Sequence, residues 1–212
     1  NKRSIGLDMS VPEGKEVLYD LARRSDVFLT SFLPGHRKKF GIDVDDIRAV
    51  NPKIVYANCY GYSRRGPDAD RPAYDDTIQA ECGLPAVQKQ LTGDATYVAT
   101  IMADKVTGLT ALYATMMALF HRERTGEGQF ITTSLLRTSL SILAGAVLRE
   151  PVHDAILRDP MMADVEAVRA RGGTWQEILT ARAGQQAVRA GTRLYYGSYR
   201  TRDGAVTLGA LT

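Results

Sequence analysis

Short apolar runs separated by stretches of helical periodicity constrain this chain more than any other feature. Val27–Thr30, Ile54–Asn58 and Gln129–Thr133 each have the length of one strand, and Ser4–Leu7 is a shorter candidate. Helical patterns lie between them. In "SVPEGKEVLYDLARR", Ser10 and Glu13 stand at capping-box spacing and Pro12 falls in the first turn, which predicts a helix to about Arg24. Asp43 is placed to cap a helix through Val50, and Asn51-Pro52 stops it. A parallel neighbour is reached only by a crossover long enough to hold a helix, so strands that alternate with helices build a parallel, helix-covered α/β sheet.

The middle of the chain is less regular. The loop "GYSRRGPDADRPAYDD" leads to a helix near Asp76–Cys82, followed by a break at Gly83 and Pro85. In residues 101–129, "IMADKVTGLTALYATMMALFHRERTGEGQ", Leu109, Leu112, Tyr113, Met116, Leu119 and Phe120 recur at helical spacing. Such a helix is expected to lie buried in a core or an interface. Gly126 is its expected C-cap, and Leu135–Leu148 reads as one more apolar helix. From Pro151 the chain turns polar, and residues 151–190 read as a helical connector after a large domain of residues 1–150. "RLYYGSYRTRDGAVTLGAL" alternates around Asp203-Gly204, a hairpin signal that opens a second domain over residues 191–212. The chain starts without Met at "NKRSIGLDM" and stops just after the hairpin, as expected of a piece of a longer protein.

Composition excludes several functions. A net charge of +3 on 212 residues gives no reason to expect a nucleic-acid partner. No apolar run is long enough for a membrane span. Three histidines and two cysteines show no metal-ligand spacing, and Cys59 and Cys82 are expected as buried thiols of a cytoplasmic protein. Dinucleotide and P-loop glycine patterns are absent, which disfavours a dehydrogenase, and so is a G-x-S-x-G elbow.

What remains is positional, because open α/β sheets bind ligands beyond the carboxyl ends of their strands. Strand 27–30 runs into "SFLPGHRKKFG", which holds His36, Arg37, Lys38 and Lys39. Strand 54–58 runs into Arg64, Arg65 and Arg71 among Tyr60, Tyr62 and Tyr74. Cations beside aromatic rings suit a nucleotide with several phosphates; the alternative is solvated surface. Asp104, at the mouth of the long helix, has two readings as well. As an N-cap it contributes ~1 kcal/mol. As a nucleophile, it is an ionised carboxylate able to attack a thioester carbonyl while nearby amides hold the oxyanion.

The ordered set "NKRSIGLDMSVPEGKEVLYDLARRSDVFLTSFLPG", "VNPKIVYANCYGYSRRGPDADRPAYDDTIQA" and "ADKVTGLTALYATMMALFHRERTGEGQ" closely resembles the family III CoA transferases, the group of formyl-CoA transferase and carnitine CoA-transferase that also contains α-methylacyl-CoA racemase. The likeness runs from Asn1 to about Leu148 and more weakly to Leu211. It implies an α/β fold with a parallel Rossmann-like sheet, helices on both faces and the start of a smaller domain, in an interlocked homodimer. It also implies that the first βα elements and most of the small domain lie outside this chain. Asp104 then corresponds to the family's acyl-accepting nucleophile, coenzyme A enters as acyl-CoA substrate, and the other partner is a free carboxylic acid. Phe32, Lys39 and Phe40 match the CoA-binding loop, with Ser31 where the family has Asn; Arg37 and Lys38 lie in the same loop, and Arg71 in the next. Tyr74 falls where the transferases have Tyr and the racemase has a catalytic His. A phenol, with an ordinary pKa of ~10, is a poor base for α-proton exchange at neutral pH, so Tyr74 favours transferase. Its bland reading is a loop aromatic packed on the core. The transferases' glycine-rich loop is not evident, since "RAGTRLYYG" offers only Gly191 and Gly197 there. Two other readings stay open: an acyl-CoA racemase, and a CoA-binding module without catalysis.

Overall fold

The computed structural model describes residues 2–184 and 196–209. The chain divides into two compact units, Asn1–Val147 and Leu148–Thr212.

In the first unit the strands β1 (Val27–Thr30), β2 (Val55–Tyr60) and β3 (Phe130–Ser134) form a parallel sheet in the order β1-β2-β3. Around them run α1 (Pro12–Arg23), α2 (Pro34–Phe40), α3 (Val44–Val50), α4 (Asp75–Glu81), α5 (Leu84–Thr92), α6 (Met102–Thr125), α7 (Leu135–Ile142) and α8 (Ala144–Val147). One sheet face is covered by α1 and α3: Tyr56 is fully buried among Ala22, Ile42 and Ile47. Its ring stacks on Phe28 at 5.3 Å and meets Phe130 edge-on at 5.5 Å. Its hydroxyl donates to the Ile42 carbonyl at 2.7 Å, and burial pushes its pKa up to about 12. Val55 and Ala57 point to the other face by strand alternation and are equally buried, so the sheet is covered on both sides. Here α6 packs on β2 and β3. Asn51 closes the first crossover by donating to the carbonyls of Ala22 and Ser25. Gly128 is required where β3 enters beside β2, because a Cβ there would lie 2.3 Å from the Ile54 carbonyl oxygen.

In the second unit α9 (Pro151–His153) continues through a π turn (Asp154–Arg158) into α10 (Asp159–Ala170), which packs on α11 (Trp175–Gly184). Arg149 holds Asp154 and Asp159 at 2.9 and 3.0 Å. The strands β4 (Tyr196–Arg200) and β5 (Ala205–Gly209) pair antiparallel around Asp203-Gly204, as the hairpin signal predicts.

Several expectations need correction, among them that of a buried Cys59, which is half-buried near the end of β2, while Cys82 is buried. Residues 4–7 form no strand, since an alternating run needs a partner edge for its amides and carbonyls. Ser10 does not cap α1: its amide and hydroxyl both donate to Asp8, and the helix starts at Pro12. The apolar stretch after β3 is two helices divided at Leu143. The large apolar residues of α6 do not face its core. That face carries Ala103, Thr107, Ala111 and Ala118, whereas Leu109, Leu112, Tyr113, Met116 and Phe120 are exposed. Small residues let the helix axis approach the sheet closely, and the large ones are left outside.

Arg37 corrects the expectation of a surface cation. It is 1% exposed, and its guanidinium donates to Asn58 Oδ1 at 2.7 Å and to the Tyr60 hydroxyl at 2.5 Å. It also lies 3.6 Å from Asp43, which caps α3 in a capping box with Asp46. This side chain joins α2, the α3 cap and β2, and is not open to a ligand. Replacing it by Leu leaves buried polar groups unpaired, and we expect urea unfolding of the full-length protein to show a loss of about 3 kcal/mol. Lys38→Ala, at an exposed neighbour, stays within about 0.5 kcal/mol. Equal effects from the two variants would remove Arg37 from this role.

Candidate functional site

Three loops or helix starts gather where the parallel strands end. The first is the β1–α2 loop with α2. Phe32 donates its amide to Thr30 Oγ1 at 3.2 Å, and its ring lies 5.9 Å from that of Phe40. His36 stacks on Phe40 at 6.4 Å, and the Lys39 ammonium sits 5.7 Å from the same ring centroid. Lys38 and Lys39 are exposed. With Arg37 turned inward, two lysines and three rings remain of the expected basic loop.

The second is the long loop after β2, together with β3 and the start of α7. They enclose a cavity of about 560 Å³ whose walls include Tyr60, Tyr62, Arg64, Arg65, Phe130 and Arg137. Arg64 spreads over Phe130 at 5.0 Å and over Tyr60 at 5.9 Å. Among the described residues none of these three arginines has an acidic partner. Such a wall suits an anionic group beside a flat ring. Arg71 is different: it is bound to Asp68 at 3.1 Å and Glu81 at 2.8 Å and lies over Tyr62. These bonds tie the loop to the end of α4. Arg137 was not legible as a site residue in the sequence; the only signal is its place one turn into a helix capped by Ser134.

The third is the start of α6, which has an unusual cap. Ile101 occupies the N-cap position and supplies no side-chain hydrogen bond. Asp104 is the third helical residue, and it does not cap the helix either. Its amide donates to Asp75 Oδ1 at 3.0 Å, so a buried carboxylate from the first turn of α4 serves as the cap. The Asp104 carboxylate makes no hydrogen bond or ion pair among the described residues and faces outward. Partial desolvation first, and the Asp75 charge second, push its pKa above the usual carboxylate value. Tyr74, immediately before Asp75, is the N-cap residue of α4 and is 76% exposed. It is not packed on the core, and its phenol is open at the same helix start that supplies Asp75. Tyr62 packs with Ile78 and Ala103, so the floor of the arginine cavity adjoins the residue before Asp104. Among the described residues, no group of three His, Cys, Asp or Glu is placed to hold a metal, and no helix is long and apolar enough to cross a membrane.

A carboxyl whose folded-state pKa is raised works against the fold once it ionises above that pKa. Asp104→Asn removes that cost and no cap, so it should leave denaturant stability at pH 7 unchanged within about 0.5 kcal/mol or slightly higher. Asp75→Ala orphans the amide of Asp104 and should cost about 2 kcal/mol. The reverse order of the two values would return the cap to Asp104.

Residues 1–212 match the sequence profile of CoA-transferase family III. The chain is 30% identical over 210 residues to the human succinyl-CoA:glutarate CoA-transferase, covering 99% of this chain and 42% of that protein. It is 34% identical over 143 residues to a succinate–glutarate CoA-transferase of Agrobacterium fabrum, covering 68% and 36%. To a formyl-CoA:oxalate CoA-transferase of Streptomyces avermitilis it is 37% identical over 142 residues, covering 67% and 34%. The chain thus spans about a third to two fifths of the length of these curated relatives. Among solved structures, a CAIB/BAIF family protein from Brucella suis superposes with a TM-score of 0.64 at 33% identity, covering 68% of this chain and 38% of that one. The chain belongs to CoA-transferase family III.

Proposed function

We propose that the protein containing this chain moves CoA from an acyl-CoA to a free carboxylic acid through a covalent intermediate on Asp104. The observation that carries this reading is the Asp104 carboxylate, fixed by its main chain yet unbound at its side chain. An Asp104 oxygen attacks the thioester carbonyl, the C–S bond breaks, and CoA leaves as thiolate with an acyl–aspartyl anhydride behind it. The thiolate attacks the aspartyl carbonyl, forming an aspartyl–CoA thioester and releasing the donor acid. The acceptor carboxylate attacks this thioester, giving a new anhydride and thiolate. Attack of the thiolate on the acceptor's acyl carbon yields the product acyl-CoA and restores the carboxylate. Anhydride and thioester are both activated, so neither becomes a trap. A raised Asp104 pKa supports nucleophilicity once the group is ionised.

Lys38, Lys39 and the rings of Phe32 and Phe40 are the residues we assign to the nucleotide end of CoA, with Tyr74 beside the acyl group. The relatives' names carry glutarate and oxalate, both dicarboxylates, which supports a dicarboxylic acceptor here. An interlocked homodimer belongs to the same reading, supported by the apolar outer face of α6. So does a small domain beginning near residue 191, a position that lies outside the described residues. Cytoplasmic placement is supported by two free thiols, Cys59 and Cys82. The exposed phenol of Tyr74 favours transferase over racemase.

The test is mass mapping of the full-length protein after incubation with a panel of acyl-CoAs and hydroxylamine or borohydride trapping. The expected result is a modified peptide containing Asp104, lost in Asp104→Asn together with about 10³-fold or more of transfer activity. Tight CoA binding without an adduct from any donor would leave a binding module. Deuterium exchange at the α-carbon without an acceptor acid would leave the racemase.

A further inference from the structure

The start of α6 is held by a second, buried layer that the proposed reaction does not name. Asp75 is 6% exposed and Gln79, one turn later on α4, is 1% exposed. Asp75 Oδ2 accepts from Gln79 Nε2 at 2.6 Å while its Oδ1 accepts the Asp104 amide. The same Gln79 amide group donates to the Thr100 carbonyl at 3.1 Å, and its Oε1 accepts the Val98 amide at 2.9 Å. Three points of the chain leading into Asp104 are therefore tied to two side chains of one short helix. Ile101 caps nothing, so the orientation of the first turn of α6 depends on this clamp.

We propose that Asp75, seated by Gln79, is the positioning residue of the site: it fixes Asp104 through the main-chain amide and leaves the Asp104 carboxylate free to react. A cap supplied by residue 104 itself would occupy the oxygens the reaction needs. Placing the cap on another helix removes that conflict. It also sets a fixed negative charge beside the nucleophile. The ionisable groups on elements packed against α6 are Asp75, Asp76 and Glu81 on α4, Arg137 on α7, and Tyr56, Cys59 and Tyr60 on β2. Of these only Asp75 acts on the Asp104 carboxyl. Lys105, next to it on α6, is turned to Thr100 Oγ1 at 2.9 Å.

The inference rests on Asp104 as nucleophile, and the experiment separates the two. In the full-length protein, adduct formation is followed against pH by trapping, beside CoA binding and melting temperature. Asp75→Asn removes the charge and one of the two acceptors. Its acidic limb should move to lower pH, because loss of a neighbouring negative charge lowers the Asp104 pKa. The plateau rate should fall roughly 10- to 100-fold with CoA affinity retained, as expected of a misplaced nucleophile. Asp75→Glu keeps the charge but not the reach, so its rate should fall while the limb keeps its place. Gln79→Met should slow the reaction without moving the limb. An unmoved limb in Asp75→Asn, or a rate loss that only follows loss of folded protein, overturns the proposal. If the variants fail to fold, amide exchange in the wild type decides: peptides spanning 98–105 should be protected, and rapid exchange there overturns it. An adduct that survives Asp104→Asn refutes the nucleophile and not the clamp.

Discussion

Parallel pairing is the constraint from which the rest of the first unit follows. A parallel strand cannot be joined to its neighbour by a tight turn, so each connection must return over a sheet face, and a helix is the economical way to do so. With β1, β2 and β3 all running the same way, Thr30, Tyr60 and Ser134 end at one edge. The aromatic and basic loop, the arginine cavity and the start of α7 all follow from that edge. The buried Arg37 then ties the first of these loops to the end of β2 and to the cap of α3.

The start of α6 shows how a carboxylate is kept unengaged inside an ordered structure. A helix leaves its first amides without partners, and a carboxylate nearby tends to take them. Here Asp75 takes that place from the neighbouring helix. Order is delivered through the backbone of Asp104, and its side chain stays unengaged among the described residues. The buried hydroxyl pair Thr107–Thr138, 2.6 Å apart, holds α6 to α7 one turn further along. Asp104 thus stands on a support secured from both α4 and α7.

What the sequence made legible was local. The strand Val27–Thr30, the Asp43 cap and the Gly126 stop depend on residues a few positions apart, and each is where the pattern put it. Asp104 and Tyr74 stood out through an ordered resemblance, and the structure sets both at helix starts. The inward turn of Arg37 was not legible, because four basic residues in a row carry no mark of which one meets Asn58 and Tyr60 from a strand 21 and 23 residues away. Asp75 was hidden for the same reason, since its bond to the Asp104 amide spans 29 residues. Ser4–Leu7 shows the converse: a strand pattern is a statement about one side of a pairing that needs two.

The inverted faces of α6 bear on how this polypeptide fares in water. Small side chains lie inward, and six large apolar ones, each more than half exposed, lie outward. Water-exposed rows of this kind are what chaperones hold and proteases sample, and they drive association at ordinary protein concentrations. With that row in water, the residues that invite association lie on the same helix as the start that Asp75 orders.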